Sequence, residues 1–268
     1  PRAGGAGAGG GAAQGGEGRR VATALSGHPA VRRWDRGNEN LNGFIPPDVA
    51  SGNAWLERTT GAIRAAEPGR PITLGTHMED LEDDRRIGPA EVARHCDIVS
   101  MHGYPSYTTW AEGPTDDRLL SFLALLTRWL AGGADILFEE FGLPTGPPFT
   151  PSSYQLFEEG TAAAYTGRAL DNLRNAGCIG ALLWCFADYV PALSGRPPLD
   201  DAPHERSFGL WRSDGSANTA VAEITSRAYR RLVPPAAELS WLAIGPNEFL
   251  PDLRRHLHRL SLRQPPPP

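Results

Sequence analysis

Two glutamates stand where a carboxylate could do chemistry: Glu39 in W-D-R-G-N-E-N and Glu140 in I-L-F-E-E-F-G. Glu140 closes a short apolar run and Glu39 a run that mixes Trp34 with charged residues, and a charge at the end of a buried strand is costly without a partner or a use. Two carboxyls facing one bond are what cleavage of a glycosidic linkage needs. One protonates the departing oxygen, and the other attacks the anomeric carbon or activates water. Other polar or aromatic groups fall at the ends of similar runs. His77 closes L-G-T-H, His102 and Tyr104 lie in M-H-G-Y-P, and Trp184 lies in L-L-W-C-F-A-D-Y.

The runs alternate with amphipathic stretches, the pattern of βα units and a parallel sheet. It predicts strands over 31–38, 71–76, 97–102, 135–140 and 179–186. Helices are expected near 19–25, 53–66, 89–94, 117–131, 154–176 and 218–232. Pro68-Gly69, Gly132-Gly133 and Gly177 punctuate the helix ends, Gly177 as a residue just past a C-terminus. Five strands result, each followed by a helix, with the chemistry-bearing residues at strand C-termini. Barrel enzymes place their catalytic groups at that end.

Residues 1–18 hold nine glycines, so ordering them would cost backbone entropy against little burial, and the segment is expected to be disordered. The last piece, 236–268, reads as an extension with one helix near 250–262 and a Pro-rich tail. Its Arg and His residues are expected on a solvated face. The core domain is then 19–235. The chain has 268 residues and a net charge of -5, a balance that argues against nucleic acid as a partner. Its longest apolar run, C-I-G-A-L-L-W-C-F-A, is too short for a membrane span, so no membrane partner is expected either. Three cysteines without regular spacing (Cys96, Cys178, Cys185) give no disulfide framework or zinc site, and Cys178 and Cys185, which flank an apolar run, are expected to be buried. No cofactor and no metal is expected. The chain begins at Pro1 rather than Met, which predicts that the natural N-terminus lies upstream; location is left open, secretion included.

The order N-E, H-x-Y, E-F-G and W resembles glycoside hydrolase clan A, nearest the cellulase and mannanase type of family 5. The likeness covers roughly 20–235, and the stretch E-R-S-F-G-L-W-R-S-D-G-S over 205–216 resembles the segment that follows the barrel in such enzymes. It implies an α/β fold: a (β/α)8 TIM barrel, here incomplete and retaining about the last five βα units. By resemblance Glu39 is the acid/base and Glu140 the nucleophile of a retaining double displacement on β-glycosidic bonds. Asn38 would bind the sugar 2-OH, Tyr104 would donate to Glu140 and keep it ionised, and His102 would orient substrate or the acid/base. Trp184 would form an apolar platform under the sugar, and the partner is a carbohydrate, a β-glycan or oligosaccharide. The family's three earlier units, which carry an Arg and a His, have no counterpart before Val31. The chain alone is therefore expected to be poorly soluble or inactive. Asn40 stands where many family members have Pro.

Several residues have plainer readings. Glu139 competes with Glu140, but strand neighbours point to opposite faces and the E-F-G context favours Glu140. Trp34 is expected in the core. His77 and His95 lack metal-ligand spacing and are expected to be exposed or satisfied. Tyr107 and Trp110 either line a distal sugar subsite or pack their loop, while Asp188 and Tyr189 could cap the cleft. A carbohydrate-binding relic without activity would keep the aromatics but need not keep both glutamates. A metal-dependent barrel hydrolase would use His77, His102 and an acid. No G-x-S-x-G elbow is present for a serine hydrolase.

Overall fold

A computed structural model describes residues 8–146, 155–227 and 239–265. The helices are α1 (Ala8–Ala24), α2 (Asn40–Gly43), α3 (Val49–Ala66), α4 (Pro89–His95), α5 (Arg118–Leu130), α6 (Glu159–Asn175), α7 (Ala220–Thr225), α8 (Pro246–Phe249) and α9 (Leu253–Ser261). The strands are β1 (Trp34–Asn38), β2 (Ile72–Gly75), β3 (Val99–His102), β4 (Ile136–Glu140) and β5 (Gly180–Ala181). The fold is α/β with parallel strands. The described residues form two compact units: 8–102, 125–137 and 239–265 make the first, and 103–124, 138–146 and 155–227 the second. Among the described residues no helix is long and apolar enough to cross a membrane.

In the first unit β1 runs parallel to β2, pairing Trp34 with Ile72 and Asp35 with Thr73. The register then shifts before Asn38 meets Gly75, and the Glu39 amide donates to the Gly75 carbonyl at 2.9 Å. Such an irregularity at a strand end re-aims the side chains beyond it. All four residues of β2 and of β3 are buried, as expected of a parallel strand covered on both faces. Buried hydroxyls tie the two together: Ser100 Oγ donates to the Leu74 carbonyl at 2.7 Å, and Thr76 donates to the Ser100 carbonyl.

Helix α3 starts where Asp48 caps the Ser51 amide at 2.7 Å, and it buries Trp55, Leu56 and Ile63. Against it lies α1, which corrects the expectation of unordered chain over residues 8–18. The physical reason is close approach. A Cβ on Gly15 would sit 3.6 Å from the Cβ of Ala62, and one on Gly18 3.3 Å from Ile63 Cγ1. The glycines that deprive α1 of propensity thus let it pack on α3, where Gln14 Oε1 also accepts from Trp55 Nε1 at 2.7 Å. Residues 1–7 lie outside the described set. At the other end of the unit, α9 buries His256, Leu257 and Leu260 while Arg254 pairs with Asp83 at 2.8 Å. The solvated face expected there therefore excludes His256.

Trp34 is half-buried, and its Nε1 donates to Glu67 Oε2 at 2.8 Å. Glu67 Oε1 accepts from the Gly27 amide and from Arg70. Above all the Arg70 hydrogen bonds, then the Gly27 amide, hold this carboxyl down at about 2, well under the ordinary value near ~4.3. A depressed folded-state value means that its stabilisation is present above the unfolded value and is lost as pH falls toward 2. The urea midpoint of wild type should therefore exceed that of Glu67→Gln at pH 6, and the gap should close on titration to pH ~2. A gap that persists unchanged in acid would contradict this.

In the second unit Gly103 N–H donates to the Glu140 carbonyl at 3.1 Å, and Leu182 N–H to the Phe138 carbonyl at 2.9 Å. The core gathers Phe122, Phe138, Phe141 and Tyr165, all essentially inaccessible. Helix α6 buries Ala162, Ala163, Thr166, Gly167 and Ala169, a small-residue face. Strand β5 holds two residues where eight were expected. After Ala181 the chain leaves the ladder: Cys185 N–H turns to the Phe208 carbonyl, and Trp211 N–H bonds to the Phe186 carbonyl. Cys178 and Cys185 are half-buried, not buried as expected, each next to an exposed apolar residue (Ile179 and Phe186); Cys96 is buried. The predicted helix over 218–232 is described only as far as Arg227, and α6 begins at Glu159 rather than 154, a position outside the described residues.

Candidate functional site

The polar strand ends form two clusters, one in each unit. In the first, Glu39 follows β1 in the left-handed conformation (φ 46, ψ 46), uncommon for a residue with a Cβ. Such backbone persists only where surroundings over-determine it, and it is enriched at functional positions. His102, at the end of β3, places Nδ1 3.0 Å from Glu39 Oε1. Asn42, one helical turn on, donates Nδ2 to Oε2 at 2.9 Å. His77, after β2, has Nε2 3.7 Å from Oε1, beyond a good hydrogen bond. Burial pushes the Glu39 carboxyl upward. The His102 hydrogen bond, the His77 and His102 rings and Asn42 together outweigh it and hold the group below the ordinary glutamate value. His77 is itself held low by burial, so it is neutral near pH 7 and offers a dipole rather than a full charge.

The geometry of Asn38 differs. It pairs with Gly75 in the sheet and its side chain is exposed. His95, on α4, has Nε2 3.0 Å from Asn53 Oδ1, a satisfied histidine as expected. His77 is also satisfied: it caps a short 3-10 helix (Met78–Leu81), its ring accepting the Glu79 amide.

In the second unit the buried Tyr104 donates its hydroxyl to Glu140 Oε1 at 2.6 Å. A hydrogen bond to a carboxylate favours the charged form. Tyr104 is held by rings on two sides, Tyr107 at 5.2 Å and Phe208 at 5.9 Å between centroids. Behind it Tyr107 donates to Glu205 Oε1 at 2.8 Å, with His204 Nε2 3.0 Å from the Tyr107 hydroxyl. Tyr107 thereby packs its loop. So does Trp110, edge-on to Phe122 at 5.9 Å. Gly142 lets strand ends meet: a Cβ there would lie 2.3 Å from the Trp184 carbonyl oxygen. Trp184 is half-buried, with its amide bonded to the Phe141 carbonyl at 2.9 Å. Asp188 accepts the Gly209 amide at 2.8 Å, a local tie in the turn, and Tyr189 is exposed. Burial pushes the Cys185 thiol up to about 11, so it is no nucleophile at neutral pH.

Each glutamate of interest is thus oriented by a group from the H-x-Y motif, His102 for Glu39 and Tyr104 for Glu140. Solved structures with this arrangement of elements are glycoside hydrolases. One from Streptomyces cattleya, a GH5_18 enzyme in complex with GlcNAc, superposes with TM-score 0.72 at 22% identity over 91% of this chain. The fold is shared with family 5 glycoside hydrolases. A GH5_18 structure from Bifidobacterium longum subsp. infantis gives TM-score 0.69 at 17% identity over 85% of this chain. The exo-beta-1,4-mannosidase Op5Man5 from Opitutaceae bacterium strain TAV5 gives 0.64 at 24% over 80%. The chain spans 60%, 54% and 39% of those three proteins' own lengths. No family profile matches the sequence, and no curated protein does.

Asn42, Arg85, His204 and Glu205 were not singled out from sequence. Only Asn42 left a trace there, as a polar residue three positions after Glu39 in a helical turn. The others reach their partners through loops.

Proposed function

We propose that this chain is the catalytic part of a retaining glycoside hydrolase of family 5 built on an incomplete (β/α)8 barrel. Glu140 is the nucleophile: its carboxylate attacks the anomeric carbon, and the glycosidic bond electrons leave with the aglycone oxygen. Glu39 protonates that oxygen and then removes a proton from the water that releases the sugar. The observation that supports this reading is the Tyr104–Glu140 hydrogen bond, a donor aimed at the carboxylate assigned as nucleophile. An ionised Glu39 is the form that activates water. The acid step needs its protonated form, and further burial beneath a bound sugar pushes the carboxyl that way.

Asn38, exposed at the end of β1, is assigned to the sugar 2-OH, Trp184 to the platform beneath the ring, and His102 to orienting Glu39. Trp110 is the weaker subsite residue, since Phe122 already takes one ring face's edge. Neighbours of the same fold are described with Manβ1-4GlcNAc and as an exo-beta-1,4-mannosidase, so β-mannosides are the first substrates to try.

The test is hydrolysis of aryl β-mannosides and β-glucosides, followed by NMR of the released sugar. Release of the β-anomer first supports the reading. Release of the α-anomer first would overturn the double displacement. Sugar binding without any cleavage would favour a carbohydrate-binding relic, and hydrolysis lost on chelation would favour a metal-dependent hydrolase.

A further inference from the structure

We propose that Arg85 is a positioning residue for Glu39, acting through Asn42. Arg85 lies in the loop after β2 with its side chain 12% exposed. Its Nη1 donates to Asn42 Oδ1 and its Nη2 to Glu79 Oε2. A carboxamide has one accepting and one donating end. With the accepting end of Asn42 turned to Arg85, the donating end is left for Glu39 Oε2, which it meets at 2.9 Å. Without Arg85 the amide is free to turn over and present a lone pair to the carboxylate, converting an attraction into a repulsion.

The second arm of Arg85 holds Glu79. Glu79, held by Arg85, gives its backbone N–H to His77 Nδ1 at 3.4 Å. That contact assigns the ring proton to Nε2, which faces Glu39 Oε1 at 3.7 Å. The hydrogen-bonded path to Glu39 therefore runs Arg85–Asn42–Glu39, and at 3.7 Å His77 adds no hydrogen bond to it. Asp80 lies beside Arg85 and His77, with Oδ1 3.6 Å from Arg85 Nη1 and Oδ2 accepting the His77 amide at 2.9 Å. Burial pushes the Asp80 carboxyl up to about 7 against those two contacts. Within this unit the titratable groups facing Glu39 are therefore His77, Glu79, Asp80 and Arg85 from the loop after β2, and His102 from β3.

The path matters to chemistry because an acid/base must keep one oxygen aimed at the reacting atom while its backbone sits in a strained conformation. Asn42 holds Oε2 and His102 holds Oε1, and Arg85 fixes the orientation of Asn42. The inference rests on the reading of Glu39 as the acid/base, and the two fail separately, because the measurement below needs no turnover.

The experiment is a 13C NMR titration of the Glu39 carboxyl, assigned with Glu39→Gln, in wild type, Arg85→Met, Arg85→Lys, Asn42→Ala and the Arg85→Met/Asn42→Ala double variant. Arg85→Met and Asn42→Ala should each raise the Glu39 pKa by about half a unit or more, because a donor to the charged form is lost. The double variant should move it no further than Asn42→Ala alone, the signature of one path. Arg85→Lys keeps the charge but cannot span both partners, so it should resemble Arg85→Met. Additive shifts, or a wild-type value in Arg85→Lys, would show a through-space charge effect and overturn the proposal. Asn42 is exposed, so Asn42→Ala should fold even if Arg85→Met does not; an unmoved Glu39 in Asn42→Ala also overturns it. Unimpaired hydrolysis by Glu39→Gln would instead remove the acid/base reading and leave the Arg85–Asn42 path intact.

Discussion

A 2-deoxy-2-fluoro-β-mannosyl donor with a dinitrophenolate leaving group is expected to label Glu140 with one glycosyl unit. The fluorine slows both steps of a double displacement by destabilising the oxocarbenium-like transition state, while the activated leaving group lets the first step proceed. Bond formation from a Glu140 oxygen to C1 accompanies departure of dinitrophenolate with the bonding electrons, so no acid is needed. Labelling is a single-turnover event and remains visible in a slow enzyme. Glu140→Gln should cut its rate by roughly 10^5-fold or more, the scale of losing an enzymatic nucleophile. The readout is intact-protein mass followed by peptide mapping. Adjacent Glu139 makes the mapping decisive. A label on Glu139 would reassign the nucleophile and leave the Tyr104 hydrogen bond without its proposed meaning.

Glu39→Ala should separate substrates by leaving group. A phenyl glycoside needs protonation of its departing oxygen, and its glycosylation step should slow by about 10^2–10^4-fold, the usual contribution of general acid catalysis. A dinitrophenyl glycoside needs little help in that step, so its loss should be far smaller there and fall instead on water attack. Azide, a nucleophile that requires no general base, should then restore turnover of the dinitrophenyl substrate and yield the β-glycosyl azide. Equal losses on both substrates with no azide effect would mean that Glu39 supports structure rather than proton transfer. His102 and Asn42 hold the two oxygens in wild type. Loss of the carboxyl leaves both donors in place around the space it occupied.

The local pattern carried much of the fold. Apolar runs mark β2 to β4 within a few residues, because a buried parallel strand needs little beyond a continuous apolar segment with polar groups at its ends. Motif order likewise brought Glu39, His102, Tyr104 and Glu140 to notice, since a charged residue ending such a run is conspicuous against its neighbours. Where stability depended on a distant partner, the pattern misled. Residues 8–18 look too poor in side chains to order, yet those missing side chains are what allow α1 to lie against Ala62 and Ile63 of α3. The run 179–186 looks like one long strand, but the carbonyls of Phe208 and Phe186 draw it into a different pairing after Ala181.

The sequence by itself determined which residue types stand at the strand ends, and so the class of chemistry open to this protein. Only the tertiary structure decided which side chains govern them. Tyr104 lies 36 positions from Glu140 and His102 63 from Glu39, and Arg85 reaches Asn42 across 43. Hydrogen bonds are set by angles and distances of a few tenths of an ångström, and contacts between residues so far apart in sequence exist only once the chain has folded.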